Sequence, residues 1–213
     1  MERKLLLVDS GHGGVDPLTG IYSSCPSPIK DNPSTWYKCM WNGSEWIYEG
    51  EWNDDISIRL IRLIEERGEF DSEMTNYSTC DISLDERVAV ERKLKPDLFL
   101  SIHFNYFDNY SVKGTEVFAY RSAGKGSRKA AEITAKNLMM GISEETLRRD
   151  SNSRLYKEAN FKVLRETAGS AILVELGFFS NNDTQRMMKY SDYRDKLVES
   201  LYKSVKEYFD GID

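Results

Sequence analysis

Two histidines occur in the 213 residues, His12 and His103, and both follow short apolar runs. His12 lies in a Gly-rich turn, Ser10-Gly-His-Gly-Gly14, just after Lys4-Leu-Leu-Leu-Val-Asp9. The length of that run and its ending predict a buried strand. His103 closes a second run, Asp97-Leu-Phe-Leu-Ser-Ile-His103, entered from Pro96. Glu175 lies near the end of a third, Ala171-Ile-Leu-Val-Glu-Leu176, which Gly177 is expected to terminate. An unpaired carboxylate in such a run is costly, so Glu175 needs a partner or a task. Two imidazoles and a carboxylate are ligand types of a catalytic zinc site that keeps one position open for water. Taken singly, each has a plainer reading: a turn histidine, a paired core carboxylate. Together they support a metal hydrolase, and spacing alone goes no further.

These residues can meet only if the three runs lie side by side. Strands alternating with helices predict an α/β domain with a largely parallel, twisted sheet flanked by helices. In such a sheet the carboxyl ends of the strands share the edge where ligands bind. Ile56, Leu60, Ile61 and Ile64 fall at helical spacing between Trp52 and Arg67, with Gly68 as the stop. Ser83-Leu-Asp-Glu86 has the form of a capping box and predicts a helix through Leu94. A strand is expected over Thr115–Tyr120 and a helix over residues 126 to 140. Leu197, Leu201, Val205 and Phe209 mark an amphipathic closing helix from Tyr190 to Phe209. Residues 1–213 are read as one domain. The stretch 15–48, rich in Pro, Ser, Asn, Gly and aromatics and without a clean period, is read as a functional insertion.

Composition narrows the partners. Hydrophobic residues make 40% of the chain and charged ones 30%, and the formal net charge is −6. A general nucleic-acid binder carries a basic footprint, which this chain lacks. Bulk attraction to an anionic surface is likewise disfavoured, so recognition must be local. The four apolar residues Leu5 to Val8 are too few for a signal peptide, and no run approaches membrane-spanning length. Synthesis in the cytoplasm without membrane insertion is therefore expected. Cys25, Cys39 and Cys80 show no C-x-x-C spacing, which speaks against a cysteine zinc site. Pairing of Cys25 with Cys39, which share one loop, stays open.

Several blocks, in order, resemble the zinc-dependent N-acetylmuramoyl-L-alanine amidases of the amidase-3 family. They are Leu7-Val-Asp-Ser-Gly-His-Gly-Gly14, Ser83-Leu-Asp-Glu-Arg-Val88, Asp97-Leu-Phe-Leu-Ser-Ile-His-Phe-Asn105, Gly114-Thr-Glu-Val117 and Val174-Glu-Leu-Gly-Phe-Phe-Ser-Asn181. The resemblance implies a phosphorylase/hydrolase-like fold, a Zn2+ cofactor and a peptidoglycan substrate. It also implies the metal ligands His12, Glu49 and His103, with Glu175 as the catalytic carboxylate. Glu49 enters through a family pattern of Glu four residues before Asn, matched by Glu49-Gly-Glu-Trp-Asn53; Glu45 and Glu51 are weaker alternatives. Asn105 is a candidate for orienting substrate, against a plain turn role.

Two features depart from the family. Where many members carry an Arg after Thr, this chain has Met74-Thr-Asn-Tyr77, and the 15–48 stretch is longer and more aromatic. Trp36, Trp41 or Trp46 could line a sugar-binding cleft. The activity expected is hydrolysis between N-acetylmuramic acid and L-alanine, as a phage-type lysin. A host remodelling amidase, a silent wall-binding module and a zinc peptidase or deacylase are the competing readings.

Overall fold

The computed structural model describes residues 3–14, 38–78, 80–143 and 146–212. Trp36, Cys25 and most of the aromatic insertion lie outside these residues. The described chain runs β1 (Leu5–Ser10), β2 (Cys39–Trp41), β3 (Trp46–Tyr48), α1 (Glu49–Arg67), β4 (Asp71–Met74), α2 (Leu84–Leu94) and β5 (Leu98–Asn105). It continues with β6 (Glu116–Tyr120), α3 (Lys125–Gly141), β7 (Lys157–Ala159), α4 (Lys162–Glu166), β8 (Ala171–Phe178), α5 (Asn182–Met188) and α6 (Ser191–Asp210).

Six strands form one sheet in the order β4-β1-β5-β8-β6-β7. The first four are mutually parallel; β6 runs antiparallel to β8, and β7 parallel to β6. Thus the carboxyl ends of β1, β5 and β8 lie on one edge, as their apolar runs predicted. The central strands are buried on both faces, which explains why they read as continuous apolar runs. On one face Leu6, Val8, Leu100, Ile102, Ile172 and Val174 pack with Ile56, Leu60 and Ile64 of α1, Ala131 of α3 and Leu197 and Leu201 of α6. On the other, Leu7, Phe99 and Leu173 pack with Val163 and Leu164 of α4, joined by Val90 and Leu94 of α2.

The helix ends follow their sequence signals. The chain leaves α1 through Gly68 in the left-handed conformation, its N–H bonded to the Ile64 carbonyl. Both bonds of the Ser83/Glu86 capping box are formed at the start of α2. Gly177 differs from expectation: β8 passes through it to Phe178. The register steps from His103↔Glu175 to Asn105↔Phe178, so β8 carries one extra residue there, a bulge. A side chain at Gly177 would lie 2.8 Å from Thr184 of α5, so glycine lets that helix close on the bulge. Residues 39–48, read from sequence as irregular, form an antiparallel hairpin pairing Trp41 with Trp46 and Met40 with Ile47.

Candidate active site

Side chains of directly paired residues point to the same side of a sheet. His103 of β5 pairs with Glu175 of β8, and Glu175 pairs with Glu116 of β6. A polar row therefore crosses three adjacent strands, on the face whose remainder is packed by α2 and α4. Nearer the middle of the same face, Asp9 pairs with Ser101.

His12 lies two residues beyond β1 in a left-handed conformation, φ 63°. Three successive carbonyls hold that turn. Arg87 of α2 donates to the Ser10 carbonyl at 2.5 Å and the His12 carbonyl at 3.0 Å, while Asn53 of α1 donates to the Gly11 carbonyl at 2.7 Å. Arg87 is itself tied to Asp9 at 2.7 Å and Asp81 at 2.8 Å. Asp9 also accepts from Ser101 and Thr75, each at 2.7 Å. Burial alone would raise the Asp9 carboxyl, but Arg87 and the two hydroxyls more than reverse that and hold it below the usual carboxylate range. Gly11 packs against the second histidine: a Cβ there would fall 2.1 Å from the His103 ring.

Glu49 is the first residue of α1, where the helix dipole favours a negative charge. One carboxylate oxygen, Oε1, lies 3.0 Å from His103 Nδ1 and 3.4 Å from His12 Nε2; the other lies 3.2 Å from Lys38 Nζ. One ligand atom from each of His12, Glu49 and His103 lies within 4.8 Å of the others. Burial would raise Glu49, but His12, His103 and Lys38 outweigh it and hold the carboxyl well below its usual range. Burial lowers His103, against the opposing pull of Glu49. An ionised carboxylate and a neutral imidazole are the forms that ligate a metal. His12 Nε2 and Glu49 Oε2 are buried and make no hydrogen bond. Each has only an ionic neighbour, Glu49 Oε1 for His12 Nε2 and Lys38 for Glu49 Oε2, and buried polar atoms without a hydrogen bond carry a desolvation cost that a bound ion would offset. The donor set of two imidazoles and one carboxylate fits zinc.

Glu175 stands beside this cluster without joining it. Its Oε2 is buried and makes no hydrogen bond. Burial first, then the charges of Glu49 and Glu116, push its carboxyl well above the usual carboxylate range, partly offset by Lys38. Asn105, the candidate for orienting substrate, has its amide engaged with neighbouring residues: Nδ2 donates to Glu116 at 2.9 Å and Oδ1 accepts from the Tyr106 N–H at 2.8 Å. Trp41 and Trp46 make an edge-on pair, 5.9 Å between centroids, on an exposed face of the hairpin that leads into Glu49. The alternatives to Glu49 sit elsewhere in the chain's contacts: Glu45 is exposed and paired with Lys189, and Glu51 is exposed. Arg87 and Lys38 escaped the sequence reading; Asn53 entered it only as a spacing marker.

The family model for Amidase_3, N-acetylmuramoyl-L-alanine amidase, matches residues 6–207. The chain belongs to this family. Among curated relatives of this amidase-3 chain, an uncharacterized cell wall amidase of Bacillus anthracis is 28% identical over 224 residues, covering 99% of the chain and 36% of the relative. The N-acetylmuramoyl-L-alanine amidase AmiC of Escherichia coli O6:H1 is 28% identical over 190 residues, covering 72% of the chain and 46% of the relative. The chain thus spans less than half the length of either. A solved N-acetylmuramoyl-L-alanine amidase from Clostridium difficile 630 superposes with a TM-score of 0.80 at 23% identity, with both chains fully covered. That likeness establishes the shared fold of the amidase-3 domain. No described helix is long and apolar enough to cross a membrane.

Proposed function

We propose that this amidase-3 chain hydrolyses the amide between N-acetylmuramic acid and the L-alanine of the stem peptide in peptidoglycan. His12, Glu49 and His103 would hold a zinc ion and Glu175 would move the proton. The observation that carries the reading is the convergence of the three ligand-type side chains beside an unpartnered, buried glutamate. A bound zinc ion supplies a Lewis acid that polarises a carbonyl and makes water more acidic.

The chain's own residues account for the rest. The raised Glu175 carboxyl has the direction of shift that a general base working near neutral pH needs. As the new C–O bond forms at the lactyl carbonyl, Glu175 takes a proton from the attacking water. It returns that proton to the alanine nitrogen as the C–N bond breaks, leaving a carboxylic acid and a free amine. Arg87 and Asn53 keep His12 in its left-handed turn, and Gly11 leaves room for the His103 ring. Asn105 fixes Glu116 at the end of the polar row and so shapes the surface that meets substrate. Trp41 and Trp46 offer flat apolar faces for the neutral glycan.

The role we favour is that of a phage-type lysin. A silent binding module is disfavoured, because it has no use for a complete ligand set with a separate buried glutamate. The test compares wild type with Glu175→Gln and His12→Ala on purified sacculi, following release of new amino groups and bound zinc. Glu175→Gln should keep zinc and lose turnover, while His12→Ala should lose both. Full turnover in Glu175→Gln would end the reading; lysis of cells by protein added from outside tests the lysin role.

A further inference from the structure

The polar row does not stop at Glu175. Glu116, one strand further on, is buried, yet it collects two cations: Oε1 accepts from Arg148 Nε at 3.0 Å and from Lys157 Nζ at 2.5 Å. Its other oxygen accepts from Asn105. Lys157, the more buried of the two cations, would neutralise Glu116 by itself, so Arg148 adds surplus positive charge at this end of the row.

Arg148 is also held in place. Gly114 has φ +119°, and a Cβ there would lie 2.8 Å from Arg148 Cγ, so the glycine leaves room for the side chain to lie against the backbone. The guanidinium carbon is 5.5 Å from the centroid of the Phe178 ring. With Nε committed to Glu116, Nη1 lies at a long 3.5 Å from the Lys113 carbonyl, and the side chain is 42% exposed. A guanidinium anchored through Nε presents its two Nη groups as a fork, the geometry that matches a carboxylate.

Adjacent strands are about 4.8 Å apart, so Glu116 lies roughly 10 Å along the row from His103. A peptide chain extends ~3.5 Å per residue, so a group about two residues from a bond cleaved at His103 and Glu175 reaches this end. Resting on the amidase reading given above, we propose that Arg148, seated on Glu116 with Lys157 beside it, binds a free carboxylate of the leaving stem peptide. The group meant is the α-carboxylate of the second stem residue. Charge complementarity selects the peptide over the neutral glycan for this end.

The test uses two soluble muramoyl peptides that differ at one group, the α-carboxyl of the second residue being free in one and amidated in the other. The zinc-loaded wild type should favour the acid by ~10- to 100-fold in kcat/KM, carried mainly by KM, as expected for one charge-assisted pair. Arg148→Gln should bring the acid-to-amide ratio close to one, and Arg148→Lys should restore part of it. Because the ratio is internal to each protein, a partly unfolded variant does not alter it. Equal cleavage of both peptides by wild type, or an undiminished ratio in Arg148→Gln, overturns the carboxylate subsite and leaves the amidase reading standing. Cleavage of neither peptide by wild type overturns both.

Discussion

Replacing Arg87 by Met removes the group on which the His12 turn converges. The substitution keeps most of the side chain's apolar length. It leaves Asp9 with its charge buried and its ionic partner gone, and it strips donors from the Ser10 and His12 carbonyls. Both partners of the pair are almost wholly buried, at 3% and 1% side-chain exposure, so solvent cannot take over. Breaking one side of a buried pair costs ~3–5 kcal/mol. In a domain of this size that corresponds to a fall in Tm of roughly 6 to 20 °C. The consequence for the site should be separate from the loss of stability. With its turn released, His12 should hold metal less well, and losing an outer partner of a ligand costs about 10- to 100-fold in affinity. The assay pairs chemical unfolding of the metal-free protein with zinc competition against a chromophoric chelator. Ile64→Ala, a cavity at the far end of α1, serves as a control that lowers stability without touching the turn. Arg87→Lys should recover part of the stability through Asp9 but little of the zinc affinity, since an ammonium cannot span both carbonyls and the carboxylate. Zinc affinity in Arg87→Met equal to that of wild type or of Ile64→Ala would refute the positioning argument.

The remaining expectations concern the same few side chains. Glu175→Gln should lower turnover ~10²- to 10⁴-fold with zinc stoichiometry intact, measured by amine release from sacculi. Gly11→Ala should push His103 out of place, because the new methyl would meet its ring, and zinc affinity should fall at least ~10-fold in the same chelator assay. Asp9 lies below its ordinary value of 3.8 when folded, so its contribution to stability is complete above that value and is lost as pH falls through the folded pKa. The stability gap between wild type and Asp9→Asn should therefore narrow on acidification below about pH 4; urea unfolding that gives a constant gap through the acid range would count against the pair. Trp41→Ala and Trp46→Ala should weaken binding to glycan strands in a pull-down while leaving bound zinc unchanged.

Much of this was legible because strand ends are where an α/β sheet displays its chemistry. His12 follows an apolar run, His103 closes one and Glu175 lies near the end of a third, and three parallel central strands had to bring them to one edge. Glu49 was different. It begins a helix, and no spacing rule links it to either histidine, so the family resemblance was needed to select it. The hairpin of β2 and β3 was unreadable because three residues per strand carry no period, and its apolar content resembled a loop rich in aromatics. Asp-Ser-Glu-Met in β4 is an edge strand with mostly polar, partly exposed residues, which hides it from any search for apolar runs. The two short helices α4 and α5, at five and seven residues, fall below the length at which helical spacing shows. Arg87 was visible as part of a capped helix, but its task is set by a partner 78 residues away, which local pattern does not encode.

The most direct measurement of the central claim is product analysis on sacculi digested by metal-free protein, by zinc-reconstituted protein and by reconstituted protein with chelator. With zinc, mass spectrometry should find intact glycan strands and released stem peptides whose free amino terminus is L-alanine. The chelator should abolish that release and added zinc restore it. New reducing ends, cuts inside the stem peptide, or release that continues without metal would contradict the account.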